Sequence, residues 1–413
     1  MSRYPSESRV IVESLARQRE SDGILVGRKD LGRFLLLPAD AVEILDDLAA
    51  GSTVGEAQRG HQERYGETAD LEDLLTSLEG HGFVRPLAPP DSDAAPERPP
   101  RRPAKAYHFE WISQRAASRL YAKPMLVAGA LLVALAVAAV ALKPSIVPGW
   151  RAVYFPVDTA AGLLFLMVTG LATTFLHEMG HLVAARARGV SCRLGIGNQL
   201  WFVVWETDMT GIWALPRRQR YLPILGGPLV DLLSASALLV IFFLDAGAWI
   251  ALPPRVLQFG QALLFIYLMR ILWQCYFFLR TDFYYAMANW FGCRSLMQDT
   301  KVLLKNLSAR FLRIGRPSDQ SHLPATERRM VRIYAVVWLT GRALAFALLI
   351  FIQIPLLFHY LALLFGRIRD GSLSGVPNES ILPLLTAIVF SLFLLTGLGL
   401  WLRSLWPKKG TSA

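Results

Sequence analysis

Six stretches of apolar residues, each long enough to cross a lipid bilayer, dominate the chain beyond residue 124. A transmembrane helix needs about 20 mostly apolar residues, and 53% of the 413 residues are hydrophobic whereas only 18% are charged. The pattern therefore predicts a polytopic α-helical membrane protein with about six transmembrane helices. The fifth is open to a kinked extension beyond Pro355. The predicted spans are residues 125–142, 159–185, 222–244, 257–279, 331–354 and 381–402.

The N-terminal part of the chain has the pattern of a small soluble α+β domain. Residues 23–27 and 33–37 have the composition of short strands separated by a turn. Apolar residues then recur every three or four positions, and this spacing predicts helices over residues 40–49, 53–65 and 69–79. We interpret residues 1–87 as an N-terminal soluble winged-helix-like domain, 88–106 as a Pro-rich linker, and 107–413 as the membrane domain.

Lys and Arg residues accumulate before the first predicted span, between the second and third, and between the fourth and fifth. Basic residues favour the cytoplasmic side of a membrane. We therefore expect a multi-pass protein of the cell membrane with its N-terminal domain on the cytoplasmic side. The net charge of +11 then fits contact with anionic lipid in the bilayer. No nucleic-acid-binding motif accompanies it, so we expect no nucleic-acid partner.

A metal-binding pattern, His177-Glu178-Met179-Gly180-His181, lies inside the second predicted span. Histidines at positions i and i+4 share one helical face and can bind one zinc ion, while the intervening glutamate can act as a general base. Each charged residue at mid-membrane costs about 2.5–3.5 kcal/mol on insertion scales. Three ionisable residues on two turns of one span therefore indicate function rather than chance.

A third ligand is needed, because a catalytic zinc ion commonly has three protein ligands. Asp282 follows the fourth predicted span and should lie at the same cytoplasmic depth as the two histidines. The alternative is that Asp282 caps a helix or pairs with Arg280. Asp231, in the third predicted span, has two possible roles as well: contact with substrate or an ion pair with Arg270.

Two strand-like segments, residues 190–196 and 200–205, join the second and third spans and predict a β-ribbon at the membrane surface. One interpretation is that the edge of this ribbon holds an extended substrate. The other is that Trp201, Trp205 and Trp213 anchor the ribbon at the lipid interface. Further along, residues 295–314 have the pattern of a basic amphipathic helix on the inner leaflet.

Taken together, these motifs resemble the site-2 protease family of intramembrane zinc metalloproteases, and within it the branch of peptide zinc metalloproteases. The similar residues occur in family order from Thr159 to about Met297. They are His177-Glu178-x-x-His181, Glu206-Thr207-Asp208 to Pro216-Arg217-Arg218-Gln219-Arg220, Gly227-Pro228-x-x-Asp231 and Arg280-Thr281-Asp282-x-Tyr284-Tyr285. The resemblance implies a site-2-protease-like core, Zn²⁺ held by His177, His181 and Asp282, and peptide hydrolysis with Glu178 as the catalytic base.

The chain departs from the family pattern at four positions. Phe283 stands where glycine is usual, Gln274 is near an asparagine position, Phe277 is near a proline position, and Asp231 replaces an asparagine. The first three departures concern the backbone bend beside the expected third ligand.

The N-terminal domain resembles the peptide-recognition module of pyrroloquinoline-quinone D type, over about the first 87 residues. The likeness rests on the order of strands and helices, the turn Glu63-Arg64-Tyr65-Gly66 and the ending Gly82-Phe83-Val84. It implies capture of the leader of a ribosomally made precursor peptide as an added β-strand. The alternative is a generic winged-helix fold with another partner.

The sequence thus favours a membrane-embedded zinc metallopeptidase, with its active site on the cytoplasmic side, that removes the leader from a ribosomally synthesised, modified peptide. Two alternatives stay open: site-2-type cleavage of a membrane-bound signalling protein, and a non-catalytic membrane component of peptide export or immunity. The oligomeric state and the identity of the peptide are not predicted.

Overall fold

The computed structural model describes residues 3–20, 23–28, 31, 33–87, 109–153, 159–293, 295–311, 320, 325–369 and 378–405. The chain divides into two compact units. The first comprises Met1–Trp111 with the short segments Gly189–Arg193 and Asp208–Arg220, and the second comprises the remaining residues. The predicted linker, residues 88–106, lies outside the described residues.

In the described part of residues 3–87, the first unit contains five strands and three helices. They are β1 Val10–Val12, β2 Ala16–Glu20, β3 Gly23–Arg28, β4 Arg33–Leu37, α1 Ala39–Ala49, α2 Val54–Tyr65, α3 Leu71–Gly80 and β5 Val84–Pro86. Strands β3 and β4 and all three helices match the predicted segments to within two residues, whereas β1, β2 and β5 were not predicted. Strands β2, β3 and β4 form one antiparallel sheet in that order, and β1 pairs with β5 in another.

Local sequence signals explain the helix ends in this unit. The Thr53 side chain accepts a hydrogen bond from the backbone of Glu56 and the Glu56 side chain accepts one from Thr53, which is a capping box at the start of α2. Gly66 ends the same helix in the left-handed conformation, with φ at 74°. The apolar faces of the helices meet in one core around Leu45, Leu75 and Phe83, all fully buried.

Helices make up most of the rest of the chain. Within the described residues, four helical segments are long and apolar enough to cross a membrane: Gln114–Leu142, Gly226–Ala246, Pro254–Trp273 and Glu327–Phe358. The elements are α4 Gln114–Leu120, α5 Lys123–Leu142, α6 Thr159–Ala187, β6 Arg193–Gln199, β7 Phe202–Asp208, α7 Arg217–Ile224, α8 Gly226–Ala246, α9 Pro254–Trp273, α10 Asp282–Phe291, α11 Leu296–Phe311, α12 Ala325–Leu348, α13 Ile354–Arg369 and α14 Asn378–Leu405.

These four segments agree with the first, third, fourth and fifth predicted spans. The second and sixth predicted spans lie in α6 and α14, which are helical but are not among the four. The two-stranded ribbon is confirmed as the sheet β6–β7, whose strands begin two to three residues later than predicted. The helix predicted over residues 295–314 is confirmed as α11.

One span boundary differs from the prediction, and one that the sequence left open is decided. Helix α9 ends at Trp273, six residues earlier than expected, because residues 274–279 form hydrogen-bonded turns. The fifth span does extend beyond Pro355, and helical structure continues to Arg369. A π-helical turn, Leu349–Gln353, directly precedes α13. Proline lacks an N–H and crowds the carbonyl four residues earlier, and a widened turn relieves that conflict.

Candidate metal centre

Three predicted ligands from two distant parts of the sequence lie together in the second unit. His177 and His181 extend from α6, and Asp282 is the first residue of α10. The ligand atoms of all three lie within 4.8 Å of one another, a group that could hold a metal ion. The Asp282 carboxylate lies 3.1 Å from Nε2 of His177 and 3.2 Å from Nε2 of His181. Both imidazoles are buried.

The second nitrogen of each imidazole is held by a hydrogen-bond acceptor. Nδ1 of His177 donates to Oδ2 of Asp231 at 2.7 Å, and Nδ1 of His181 donates to the carbonyl oxygen of Pro223 at 2.8 Å. Because a carboxylate and a carbonyl only accept, both Nδ1 atoms carry a hydrogen, and Nε2 is the nitrogen that each ring has left to bind a metal ion. Two imidazole nitrogens and one carboxylate form a donor set that zinc accepts. The residues present therefore fit the metal that the sequence implies.

Glycines at the crossing of α6 and α8 make room for this arrangement. A Cβ atom on Gly180 would lie 2.5 Å from the carbonyl oxygen of Gly226, so the two helix backbones touch here. A Cβ atom on Gly227 would lie 2.5 Å from Nε2 of both His177 and His181. The absence of a side chain at Gly227 thus leaves open the space that the two Nε2 atoms face.

Asp282 is fixed by a capped helix start. The Thr281 side chain caps α10 by accepting from the backbone of Tyr284, and its hydroxyl donates to the carbonyl of Gln274 at 2.9 Å. Oε1 of Gln274 in turn accepts from the backbone N–H of Asp282 at 3.0 Å. Phe283 lies in the regular first turn of α10, so this position does not require the conformational freedom of glycine.

Electrostatics at Asp282 favour the carboxylate form. Burial alone would raise the pKa of Asp282, but the neighbouring His181 and His177 outweigh that effect and lower it overall. The side chain keeps 19% of its surface exposed. The carboxylate of Asp282 is therefore available as a charged oxygen ligand beside the two imidazoles.

The predicted base, Glu178, is held by a residue to which the sequence assigned no role. Thr207, near the end of β7, donates its hydroxyl hydrogen to Oε2 of Glu178 at 2.6 Å, and the two side chains are both buried. Thr207 lies within a stretch that carried the family resemblance, but only the folded ribbon brings it to α6. One carboxylate oxygen of Glu178 is thus oriented by β7.

Asp231 has both a predicted and an unpredicted partner. Its predicted ion pair with Arg270 is confirmed at 3.2 Å. The hydrogen bond from His177 was not predicted, because the sequence does not show that one carboxylate can reach both residues. Asp231 is completely buried, so direct contact with a substrate is not its role in this structure.

The burial of Trp201, at the tip of the ribbon, contradicts the interpretation that this residue anchors the ribbon at the lipid interface. This residue is 1% exposed and packs among apolar residues of α12, α13 and α14. Its indole N–H donates to Oε1 of Gln353 in the π-helical turn at 2.7 Å. Trp205 is 40% exposed and remains compatible with an interface position. The ribbon is therefore held at its tip by Trp201 and contacts Glu178 through Thr207.

Comparison with models of protein families, with curated proteins and with solved structures finds no match.

Proposed function

We propose that the chain is a membrane-embedded zinc metallopeptidase. The observation that carries this proposal is the convergence of His177, His181 and Asp282 within 4.8 Å, with Glu178 on the same helix turn as both histidines. Each imidazole is also locked at Nδ1, as the ligands of a metal commonly are. A buried group of this kind has a large desolvation cost that metal binding would offset.

In this proposal His177, His181 and Asp282 hold the ion, which when bound lowers the pKa of water towards about 7 and polarises the substrate carbonyl. Glu178 accepts one proton from the attacking water as its oxygen bonds to the scissile carbonyl carbon. Glu178 then returns that proton to the amide nitrogen as the C–N bond breaks, which gives a carboxylic acid and an amine. Thr207 keeps the carboxylate of Glu178 oriented during both transfers.

The substrate we propose is a ribosomally made precursor peptide, whose leader is captured by the first unit and then removed. The motivation is that strands β2 and β4 each pair with β3 alone among the described strands. Such edges present backbone groups to which a peptide strand can be added. A tethered module of this kind would raise the local peptide concentration to roughly millimolar. The site would then cleave captured peptide in preference to free peptide.

The proposed location is the cell membrane, with the lipid bilayer as a partner and the site on the cytoplasmic side. Support comes from the four helical segments of spanning length and from the distribution of Lys and Arg. The sidedness is tested by adding a membrane-impermeant cysteine reagent to spheroplasts. Cys275, an exposed cysteine directly after α9, should be protected until the membrane is permeabilised.

The experiment that tests the activity uses the full chain in proteoliposomes with the precursor peptide encoded beside its gene. We expect cleavage by the wild type and none by Glu178→Gln, because the amide has nearly the same shape but cannot accept a proton. Both proteins should retain equal metal. Equal cleavage by the two would refute the proposal.

Leader recognition is tested separately with matched substitutions in the first unit. Leu36 in β4 is 39% exposed and should contact an added strand, whereas Leu87 is 50% exposed and directly follows β5, a strand of the other sheet. We expect Leu36→Ser to raise KM for the precursor and Leu87→Ser to leave it unchanged. If removing residues 1–87 has little effect on cleavage, the leader hypothesis is wrong and a membrane-bound signalling substrate is favoured.

A further inference from the structure

A buried polar network connects the predicted metal ligand His177 to residues that the proposed reaction does not use. Asp231 is completely buried in α8, where an unpaired carboxylate would be strongly unfavourable. Its Oδ2 atom accepts from Nδ1 of His177 at 2.7 Å, and its Oδ1 atom accepts from the guanidinium of Arg270 in α9 at 3.2 Å. Each oxygen of the Asp231 carboxylate thus has its own donor, an imidazole for Oδ2 and a guanidinium for Oδ1.

Arg270 is itself fixed by residues on the helix that bears the two histidines. Its second terminal nitrogen donates to the hydroxyl oxygen of Thr173 at 2.6 Å and to that of Thr174 at 3.2 Å. Thr173 lies one helical turn before His177 in α6. The network therefore forms a closed ring that begins and ends on α6 and passes through α8 and α9.

We infer that Asp231 and Arg270 are positioning residues that set the metal affinity of His177, an inference that rests on the proposed metal site. The carboxylate requires Nδ1 of His177 to carry its hydrogen, so Nε2 is held as the ligand atom. Arg270 balances the buried charge of Asp231 and fixes its orientation. Contacts of this kind to a metal-binding histidine typically change metal affinity about 10- to 100-fold.

An amide in place of Asp231 separates this role from simple packing. Asparagine has almost the same shape but also carries N–H donors, so it no longer requires the tautomer of His177 that binds through Nε2. It also leaves Arg270 without an ion-pair partner. We expect Asp231→Asn to cost more free energy in metal binding than in folding stability, the latter judged from the melting temperature.

The test measures the Zn²⁺ dissociation constant of the full chain in detergent by competition with a chelating dye, together with the visible spectrum of the Co²⁺-loaded protein. We expect Asp231→Asn to raise the dissociation constant about 10- to 100-fold and to alter the Co²⁺ bands. Arg270→Gln should have a similar effect. In the double variant the two losses should not add, because the residues act as one unit.

A matched control is available on the same helix. Asp245 also lies in α8, and its carboxylate accepts from the backbone of Leu252 at 2.8 Å, far along the helix from the metal ligands. Asp245→Asn should leave the dissociation constant and the Co²⁺ spectrum unchanged.

The outcomes separate this inference from the proposed function. If Asp231→Asn binds Zn²⁺ within about twofold of the wild type with the same Co²⁺ spectrum, the positioning role of Asp231 is wrong. If the variants shift the metal affinity as expected but the wild type cleaves no peptide, the network stands and the proposed hydrolysis fails. A wild type that binds no metal overturns both.

Discussion

Gly227→Ala tests the geometry of the proposed metal centre without removing any of its proposed ligands. The added Cβ would lie 2.5 Å from Nε2 of His177 and of His181, and 2.6 Å from Cδ2 of His177. A zinc ion binds imidazole nitrogen at about 2.0–2.1 Å, so the methyl group and the ion compete for the same space. Neither ring can retreat without losing its hydrogen bond at Nδ1.

The magnitude follows from these contacts. Overpacking typically costs about 1–3 kcal/mol, and a displaced imidazole would cease to be a ligand. We expect the Zn²⁺ dissociation constant to rise by more than about 100-fold, equivalent to about 2.7 kcal/mol. Gly170→Ala in α6 is the control, because a Cβ there meets nothing within 4 Å. Metal content by mass spectrometry and dye competition measure the effect. Wild-type affinity in Gly227→Ala would refute the geometry described above.

Three further predictions concern the residues around the centre. Thr207→Val removes the hydrogen-bond donor to Glu178, and a hydrogen bond to a charged group contributes about 1.5–3 kcal/mol. We therefore expect kcat to fall at least about 10-fold with unchanged metal content. An unchanged kcat would contradict this prediction. Gln274→Leu removes the acceptor for the Asp282 backbone and should raise the Zn²⁺ dissociation constant about 10-fold, as dye competition would show. Removal of the metal by a chelator should lower the melting temperature, and Zn²⁺ at 100 times Kd should add about 2.7 kcal/mol of stability. If neither treatment changes the melting temperature, the folded protein does not bind zinc at this site.

Local signals predicted the parts of the fold that depend on neighbours in sequence. Helix α2 was predicted over residues 53–65 from the spacing of its apolar residues, and its ends are fixed by signals that act within one turn, the Thr53 cap and the left-handed Gly66. The pairing of His177 with His181 followed from helical periodicity alone. Asp282 was a harder case, and it was predicted only because the second and fourth predicted spans run in the same direction and both end at the cytoplasmic face.

Features that depend on contacts between distant segments were missed. Trp201 looks like an interface residue in sequence, but its partner Gln353 lies 152 positions away. The end of α9 was placed too late because residues 275–279 are mostly apolar, although Tyr334 donates to the carbonyl of Phe277 and holds that segment in turns. The acceptor for His181 is a backbone carbonyl, that of Pro223, which no side-chain pattern reveals.

The most direct test of the central claim is X-ray absorption at the zinc edge of the purified full chain, combined with its metal content. We predict about one zinc ion per chain, bound only by nitrogen and oxygen at about 2.0–2.1 Å, with the scattering pattern of two imidazoles. Asp282→Asn should weaken binding, whereas Asp299→Asn in α11 should not. A chain that purifies without zinc and takes none up, or a spectrum without two imidazoles, would contradict the account.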